Sequence, residues 1–371
     1  MSAPAAPRTG GGPGAGVAPG ACGRCGTGRA AYTRKYSGQS LCTGCFRRSI
    51  SRKAAKTVSK YGMVRDGDRV AVAVSGGKDS LALLQIMHEM SQGHNFEIDV
   101  ITIDEGIPGY RDEALGIVSD VCGSLGVGHR VYAYEDLFEV SLDEALNMRQ
   151  RPQNRQQGTR GMSSCSICGT LRRRAIDIAA ADVGADAVAT GHNLDDMLQT
   201  FLINMLSGDT DKIAWMGPGG ATGAATDAGA SPRRIKPFCE IYESEIVFYA
   251  FASGLPFQQE PCPHMNEGIR TEIREFLNSL ESERSGIKNS MYASVLRIVQ
   301  MAHGRGAAPG PRKAGGPDGA AGTPAATIPA PTESAGKRRS SCPRCGASCT
   351  GGDSGICSVC ETMARLGRIR R

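Results

Sequence analysis

Residues 69 to 90 read Arg69-Val-Ala-Val-Ala-Val74, then Ser75-Gly-Gly-Lys-Asp-Ser80, then Leu81-Ala-Leu-Leu-Gln-Ile-Met-His-Glu-Met90. The first six are short, apolar and valine-rich, which predicts a buried strand of a parallel sheet. From Ser80 onward, good helix formers with a broad apolar face predict a helix. Between them, a chain turning through Gly76 and Gly77 into a helix N-terminus presents free backbone N–H groups at a positive dipole end, a geometry suited to phosphate. The glycines let the main chain approach an anion, Lys78 supplies a point charge, and Ser75 and Ser80 add short hydroxyl donors. The spacing is not that of the Gly-x4-Gly-Lys-Ser/Thr loop. On these residues alone an ordinary glycine turn with a serine cap stays open.

The flanking segments continue the alternation. Glu97–Ile103, His129–Ala133 and Asp186–Thr190 read as strands, and Arg111–Leu125 and Leu194–Leu206 as helices. Strand and helix in turn predict an α/β fold, a doubly wound parallel sheet with ligands at the carboxyl ends of its strands. Glu243–Ser253, Glu267–Leu280 and Lys288–Ala302 read as terminal helices. Residues 1–20 are expected to be disordered, 216–231 to form a mobile Gly/Ala-rich insertion, and the Pro/Gly/Ala-rich 304–340 to form a linker. The expected order is therefore disorder over 1–20, a small module over 21–48, the sheet domain over 49–303, the linker, and a second module over 341–371.

The chain has 371 residues, 40% of them hydrophobic, and a formal net charge of +6. Part of that charge is concentrated. Met148 to Arg174 holds seven arginines and no acidic residue, and the end Ala364-Arg-Leu-Gly-Arg-Ile-Arg-Arg371 is basic too. Such patches suit a polyanion. No apolar run approaches the roughly 20 residues of a membrane span, so no membrane partner is expected. Nor do residues 1–20 carry the apolar core of a secretory signal.

Most of the 14 cysteines stand in Cys-x2-Cys pairs, which argues for metal in a reducing compartment rather than disulfides, and so for a cytoplasmic protein. Cys22 and Cys25 are followed after sixteen residues by Cys42 and Cys45, and near the other end Cys342 and Cys345 are followed by Cys357 and Cys360. Each set offers four thiolates to one tetrahedral ion, the pattern of a zinc ribbon, so two Zn²⁺ sites are expected. Cys122 reads as a small core residue, and Cys239 and Cys349 have no partner pattern.

A third group is incomplete. Cys165-Ser-Ile-Cys168 follows the arginine-rich stretch, and Cys262 stands 94 residues further on in Glu260-Pro-Cys-Pro-His264. A redox pair, a zinc site completed by His264, and a [4Fe–4S] cluster with one iron lacking a protein ligand all remain open on spacing.

Ser75-Gly-Gly-Lys-Asp-Ser80 after its strand resembles the PP-loop of the ATP pyrophosphatases, which cleave ATP between the α- and β-phosphates and adenylate a substrate. The chain also carries Asp104-Glu-Gly-Ile-Pro-Gly-Tyr-Arg111, Tyr134-Glu-Asp-Leu-Phe138, Cys165-Ser-Ile-Cys-Gly-Thr-Leu-Arg-Arg173 and Gly191-His-Asn-Leu-Asp-Asp196. With a ribbon at each end, the set resembles the tRNA 2-thiolation enzymes that include the cytosolic tRNA thiouridylase.

That resemblance implies a tRNA sulfurtransferase that consumes ATP and Mg²⁺ and yields AMP and pyrophosphate. It implies that Cys165, Cys168 and Cys262 hold an oxygen-sensitive [4Fe–4S] cluster. It places Ser75, Gly76, Gly77, Lys78, Asp79 and Ser80 on the phosphates, backbone near Ala73 and Ile103 on adenine, Gly191 by the nucleotide, and Asp196 and Arg172 at the chemistry. Some relatives have lysine where this chain has Arg172; arginine cannot give up its proton, so electrostatic stabilisation is the expected role. Helix capping is the competing reading for Asp195 and Asp196. The expected partners are tRNA and a ubiquitin-like sulfur carrier ending in a thiocarboxylate, and a second subunit or a homodimer stays open.

The stretch DEGIPGYRDEAL is more similar to the branch acting on wobble uridine 34 than to the branch acting on position 54. Another PP-loop enzyme, such as a lysidine synthetase or a cytidine 2-thiolase, and a zinc-ribbon RNA-binding protein that uses ATP only as a conformational ligand are the remaining alternatives.

Overall fold

A computed structural model of the chain describes residues 20–151, 162–219, 225–226, 229–230, 232–265, 268–302, 340–346, 348–349 and 355–367. A short hairpin of β1 (Tyr32–Thr33) and β2 (Ser40–Leu41) runs into the helix Thr43–Lys60. Next come β3 (Arg69–Ala73), helix Lys78–Ser91, β4 (Glu97–Asp104), helix Tyr110–Leu125 and β5 (His129–Ala133). Helices Tyr134–Phe138, Leu142–Gln150 and Ser164–Asp182 lead to β6 (Ala187–Ala189). Helices Leu194–Leu206 and Thr210–Ala214 precede a hairpin of β7 (Ala225–Thr226) and β8 (Gly229–Ala230), and then β9 (Arg233–Ile235). Helices Glu243–Ala252, Gly268–Glu283 and Ile287–Ala302 follow, and β10 (Ser340–Ser341), β11 (Ser348–Cys349) and helix Ser358–Arg365 form the last unit.

Five strands make one parallel sheet in the order β5-β4-β3-β6-β9. The alternation of side chains along each strand fills two cores. Val70, Val72, Val100, Ala187 and Ala189 face one, and Ala71, Ile101, Ile103 and Val188 face the other. The first core is covered by the helices Thr43–Lys60, Lys78–Ser91, Leu194–Leu206 and Glu243–Ala252 among others, and the second by Leu142–Gln150 and Ser164–Asp182. Leu81, Leu83, Leu84, Ile86 and Met87 of the helix Lys78–Ser91 are all fully buried, each contributing about 1.5–3 kcal/mol. The chain reverses direction across the sheet between β3 and β6, which are hydrogen-bonded neighbours. In such sheets a crevice opens outside the carboxyl ends at this place.

The ribbon at the start is built into the sheet domain. Helix Thr43–Lys60 runs unbroken across residue 48, where the sequence suggests a boundary, because Cys45, Phe46, Ile50, Ala54 and Val58 are buried in the first core. Glu245, 1% exposed, ties this unit down by accepting from Arg34 Nε at 2.6 Å, Tyr36 OH at 3.0 Å and Lys53 Nζ at 3.3 Å. At the other end Met363 and Leu366 pack into the second core, against the layer containing the helix Ser164–Asp182.

Strand β9 has no counterpart in the sequence reading. It lies at the sheet edge with two arginines in three residues, and of the three only Ile235 is fully buried. The start of the expected insertion is anchored, since Met216 is buried and Lys236 donates from its backbone to Pro218 O and from Nζ to Gly217 O. The rest of the insertion outside β7 and β8, residues 1–19 of the stretch 1–20 expected to be disordered, residues 152–161 of the arginine-rich stretch, residues 304–339 of the linker expected over 304–340, and the last four residues lie outside the described residues, while Ser340 belongs to β10.

Candidate active site

Because β3 sits between β4 and β6, the loops leaving all three strands meet at one end of the sheet. The loop after β3 is drawn tight by its own serines. Ser80 Oγ accepts from Ser75 N at 3.1 Å and donates to Gly77 O at 2.9 Å. Gly76 is required twice over, since its φ is +87° and a Cβ there would meet Ala114 Cβ at 2.8 Å. The helix Lys78–Ser91 begins here without a side-chain cap, so its first N–H groups are left for an anion. Lys78 Nζ lies 2.8 Å from Asp79 Oδ2 and 3.0 Å from Glu243 Oε1. Burial works against the ammonium charge, but Asp79 and Glu243 outweigh it and raise the Lys78 pKa above its ordinary value.

The loop after β6 closes against this one. A Cβ on Gly191 would meet the Asp79 carbonyl carbon at 3.0 Å and its oxygen at 3.1 Å, so only glycine allows the approach. Asn193 Nδ2 donates to Asp79 Oδ1 at 3.1 Å. Asn193 also caps the helix Leu194–Leu206. Its Oδ1 accepts from Asp196 N at 3.0 Å while Asp196 Oδ2 accepts from Asn193 N at 3.1 Å, a reciprocal capping box. Asp196 is thus a capping residue, and one that also faces the loop after β3. Burial, with Asp79 and Glu243 adding to it, pushes its carboxyl up to about 6 against the opposing bond from Asn193. Asp195 points elsewhere: buried, it accepts from Lys288 Nζ and, at 2.8 Å, from Glu243 N, which fixes the terminal helices.

The loop after β4 carries Glu105, only 3% exposed. Its two oxygens lie 2.9 Å from Arg111 Nε and 2.8 Å from Arg172 Nε. The buried Arg111 also donates to Ser75 O at 3.0 Å and to Ile103 O at 2.7 Å. Arg172 reaches back one turn along the helix Ser164–Asp182, where its Nη2 lies 3.2 Å from Cys168 Sγ.

Ser163 caps that helix by accepting from Ser166 N at 3.1 Å, so Cys165 lies in its first turn and Cys168 one turn further on. Cys165 is exposed, Cys168 buried and Cys262 half-buried. Cys168 and Cys262 belong to the same apolar cluster as Tyr134, whose OH donates to Cys168 O at 3.0 Å. Burial raises the Cys168 pKa, Arg172 opposes the rise, and the nearby Cys262 adds to it. His264 is directed at Asp143, with Nε2 2.5 Å from Oδ1. Glu105, Arg111, Asn193 and Glu243 carry the site's wiring, and none was assigned a role of its own from sequence, although the first three stand inside the quoted motifs Asp104–Arg111 and Gly191–Asp196. Their cross-links to Arg172, Ser75, Asp79 and Lys78 join distant parts of the chain, and no spacing rule reports those.

Among the described residues, two sets of possible ligand atoms lie within 4.8 Å of one another, Cys22, Cys25, Cys42 and Cys45 and Cys342, Cys345, Cys357 and Cys360. Cys25 and Cys42 sulfurs stand 3.8 Å apart and those of Cys345 and Cys357 3.6 Å. A tetrahedral ion with metal–sulfur bonds of roughly 2.3 Å requires an edge of about 3.8 Å. The Gly28 N–H and the Thr27 hydroxyl lower the Cys25 thiol to about 5, so a thiolate is available at neutral pH. The trio Cys165, Cys168 and Cys262 is more widely spaced than either set.

The PP-loop domain family matches residues 47–281. The cytoplasmic tRNA 2-thiolation protein 1 of Chlamydomonas reinhardtii is 35% identical over 265 residues, covering 71% of this chain and 70% of that protein. Its namesake from Bos taurus is 35% identical over 289 residues, 78% of this chain and 81% of the relative. Among solved structures, the U34-tRNA thiolase NcsA from Methanococcus maripaludis with its [4Fe–4S] cluster superposes with a TM-score of 0.65 at 28% identity, over 76% of this chain and 87% of that one.

Proposed function

Because the chain belongs to the PP-loop family of the cytoplasmic tRNA 2-thiolation proteins, we propose that it is an ATP-dependent tRNA sulfurtransferase that replaces the C2 oxygen of a tRNA uridine by sulfur, at the wobble position 34. The observation that carries this reading is the unbroken chain of contacts from the loop after β3 to Cys168, through Arg111, Glu105 and Arg172. It supports a single site in which a nucleotide and a sulfur-handling group work on the same base. The name of the relatives supports work in the cytoplasm, and no described helix is long and apolar enough to cross a membrane.

A uracil oxygen is a poor leaving group and has to be activated. In this reading the uridine O2 attacks the α-phosphorus of ATP, the bond to the bridging oxygen breaks, and pyrophosphate leaves. A sulfur nucleophile then adds at C2, and the C–O bond breaks with departure of AMP. Ser75 to Ser80 would hold the phosphates by main-chain N–H groups and hydroxyls. Lys78 would exchange its carboxylate partners for phosphate oxygens. Asp79, Asp196 and Glu243, released or already ionised, are the carboxylates available to Mg²⁺. Backbone near Ala73 and Ile103 would take the adenine, and the narrow approach of Gly191 to Asp79 would set the width of the cleft.

Arg172, permanently charged, would stabilise negative charge developing between the base and the phosphate while Glu105 holds its guanidinium in place. The exposed His192 ring stands among Lys236, Arg234, Arg270 and Arg172, which all act on it electrostatically, so this rim is positive. Such a rim favours the phosphates of an anticodon loop, whose bases unstack at small cost.

Cys168 and Cys262 share an apolar wall, and the exposed Cys165 stands one turn before Cys168; this three-thiol set would suit a [4Fe–4S] cluster in which one iron has no protein ligand. When bound, a [4Fe–4S] cluster with only three protein ligands supplies an iron able to carry the sulfur atom. The two four-thiol sets would hold Zn²⁺, and a ubiquitin-like thiocarboxylate carrier is proposed as the sulfur source. The experiment is digestion of tRNA from a strain lacking this chain, with and without a plasmid copy: 2-thiouridine at position 34 should vanish and return. Unchanged thiolation there, with loss at another base, would reassign the substrate.

A further inference from the structure

We infer that Glu105 is a positioning residue that couples the nucleotide loop to the cysteine group, so that occupancy of the loop is felt at Cys168. The inference rests on the function proposed above. Among the described residues, Glu105 is the carboxylate that touches both sides. Through Oε2 it meets Arg111, which holds the carbonyl of Ser75, the first residue of the loop. Through Oε1 it meets Arg172, which lies on Cys168 Sγ. Its backbone is fixed as well, because Glu105 O accepts from Leu142 N at 2.8 Å at the start of the helix Leu142–Gln150.

The charges favour keeping this link together. A carboxylate this deeply buried is costly unless it is paired, and removing either guanidinium leaves it under-compensated. One carboxylate against two guanidiniums also leaves a surplus positive charge, placed beside a loop suited to phosphate. A nucleotide bound in that loop would draw on this charge. Ordering of the Ser75 peptide by a nucleotide would hold Arg111, then Glu105, then Arg172 in the observed arrangement, in which Cys168 is buried.

The test uses the full chain with iron removed by chelation under argon, and follows carbamidomethylation of Cys168 by peptide mapping. ATP with Mg²⁺ is the ligand, added after the chelator has been removed, and its affinity is measured in parallel by calorimetry. In the unmodified chain, ATP should slow Cys168 labelling about 5-fold or more, the scale of a modest coupling between sites. In Glu105→Gln, which keeps the shape of the side chain but not its charge, ATP should still bind and the slowing should vanish. Should that variant fail to fold, Arg172→Met leaves Glu105 and Arg111 paired and should also lose the slowing. An undiminished ATP effect in a folded variant overturns the coupling, as does ATP binding to the unmodified chain without any change at Cys168. Failure of ATP to bind the unmodified chain overturns the proposed function itself, and the coupling with it.

Discussion

Arg172 and Cys168 stand one helical turn apart on the same face of the helix Ser164–Asp182, with the guanidinium 3.2 Å from the sulfur. The same guanidinium meets Glu105 at 2.8 Å, so its fork spans a carboxylate and a sulfur at once. Lysine carries the charge but has no fork. Arg172→Lys is expected to lower the single-turnover thiolation rate about 10-fold, and Arg172→Ala about 100-fold or more, the range seen when a transition-state donor is removed. Rapid-quench kinetics with unmodified tRNA checks both. Equal rates in the two variants would mean that the charge of Arg172 is not used.

Asp196 gives a pH dependence with a definite sign. Its folded-state pKa of about 6 lies above the ordinary 3.8, so between those values the folded chain holds a proton that the unfolded chain has lost. Stability contributed by this group therefore falls as pH rises from about 4 to 6 and levels off above that. The full shift corresponds to roughly 3 kcal/mol at 1.36 kcal/mol per unit, and solvent access at the site reduces the expectation to about 1 kcal/mol. Urea midpoints over this range should show the decline in the unmodified chain and a flatter profile in Asp196→Asn. A steeper profile in the variant would show that the carboxylate is stabilised rather than strained.

Two glycines define the cleft. Gly76→Ala forces a side chain into a positive-φ position 2.8 Å from Ala114 Cβ, and is expected to cost about 1–3 kcal/mol and to abolish ATP binding. Gly191→Ala has ordinary backbone angles but presses on the backbone of Asp79 at 3.0 Å. It should weaken ATP binding about 10-fold, near 1.4 kcal/mol, with little change in melting temperature. Calorimetry and thermal melts separate the two outcomes, and wild-type ATP affinity in both would move the nucleotide elsewhere.

The ribbons predict about two zinc ions per chain. Cys22 and Cys45 are buried in the same core as Phe46 and Ile50, so Cys22→Ser with Cys25→Ser should lose one zinc and also lower the melting temperature of the sheet domain. Atomic emission and calorimetric melts check this. Full zinc content in the double variant would refute the four-thiol assignment.

Much of this arrangement is legible in the sequence, and the rest fails for a physical reason. The valine-rich strand, the paired glycines and the helix that follows are local signals, and the structure places β3, its loop and its helix where they point. The two ribbons are legible because four thiols at fixed spacing have few other uses. Glu105 and Arg111 stand inside the quoted motif Asp104–Arg111, but their pairing with each other and with Arg172, like that of Glu243 with Lys78, leaves no periodicity to read. Asp196 shows a further limit. Its capping bond with Asn193 is observed, and its place beside the loop after β3 leaves the functional role a proposal, so capping and function need not compete for this residue. Strand β9 was hidden by its arginines, which an edge position tolerates and a central strand would not.

An anaerobic thiolation assay tests the proposed function most directly. The reconstituted full chain, unmodified tRNA, ATP, Mg²⁺ and sulfide are combined, and 2-thiouridine and AMP are quantified by mass spectrometry. The unmodified chain should form 2-thiouridine and AMP in equal amounts, and Cys262→Ala should form neither thiolated product nor excess AMP while binding ATP and tRNA normally, since phosphate contacts dominate the latter. Undiminished 2-thiouridine from Cys262→Ala, or ADP in place of AMP from the unmodified chain, would contradict the proposal.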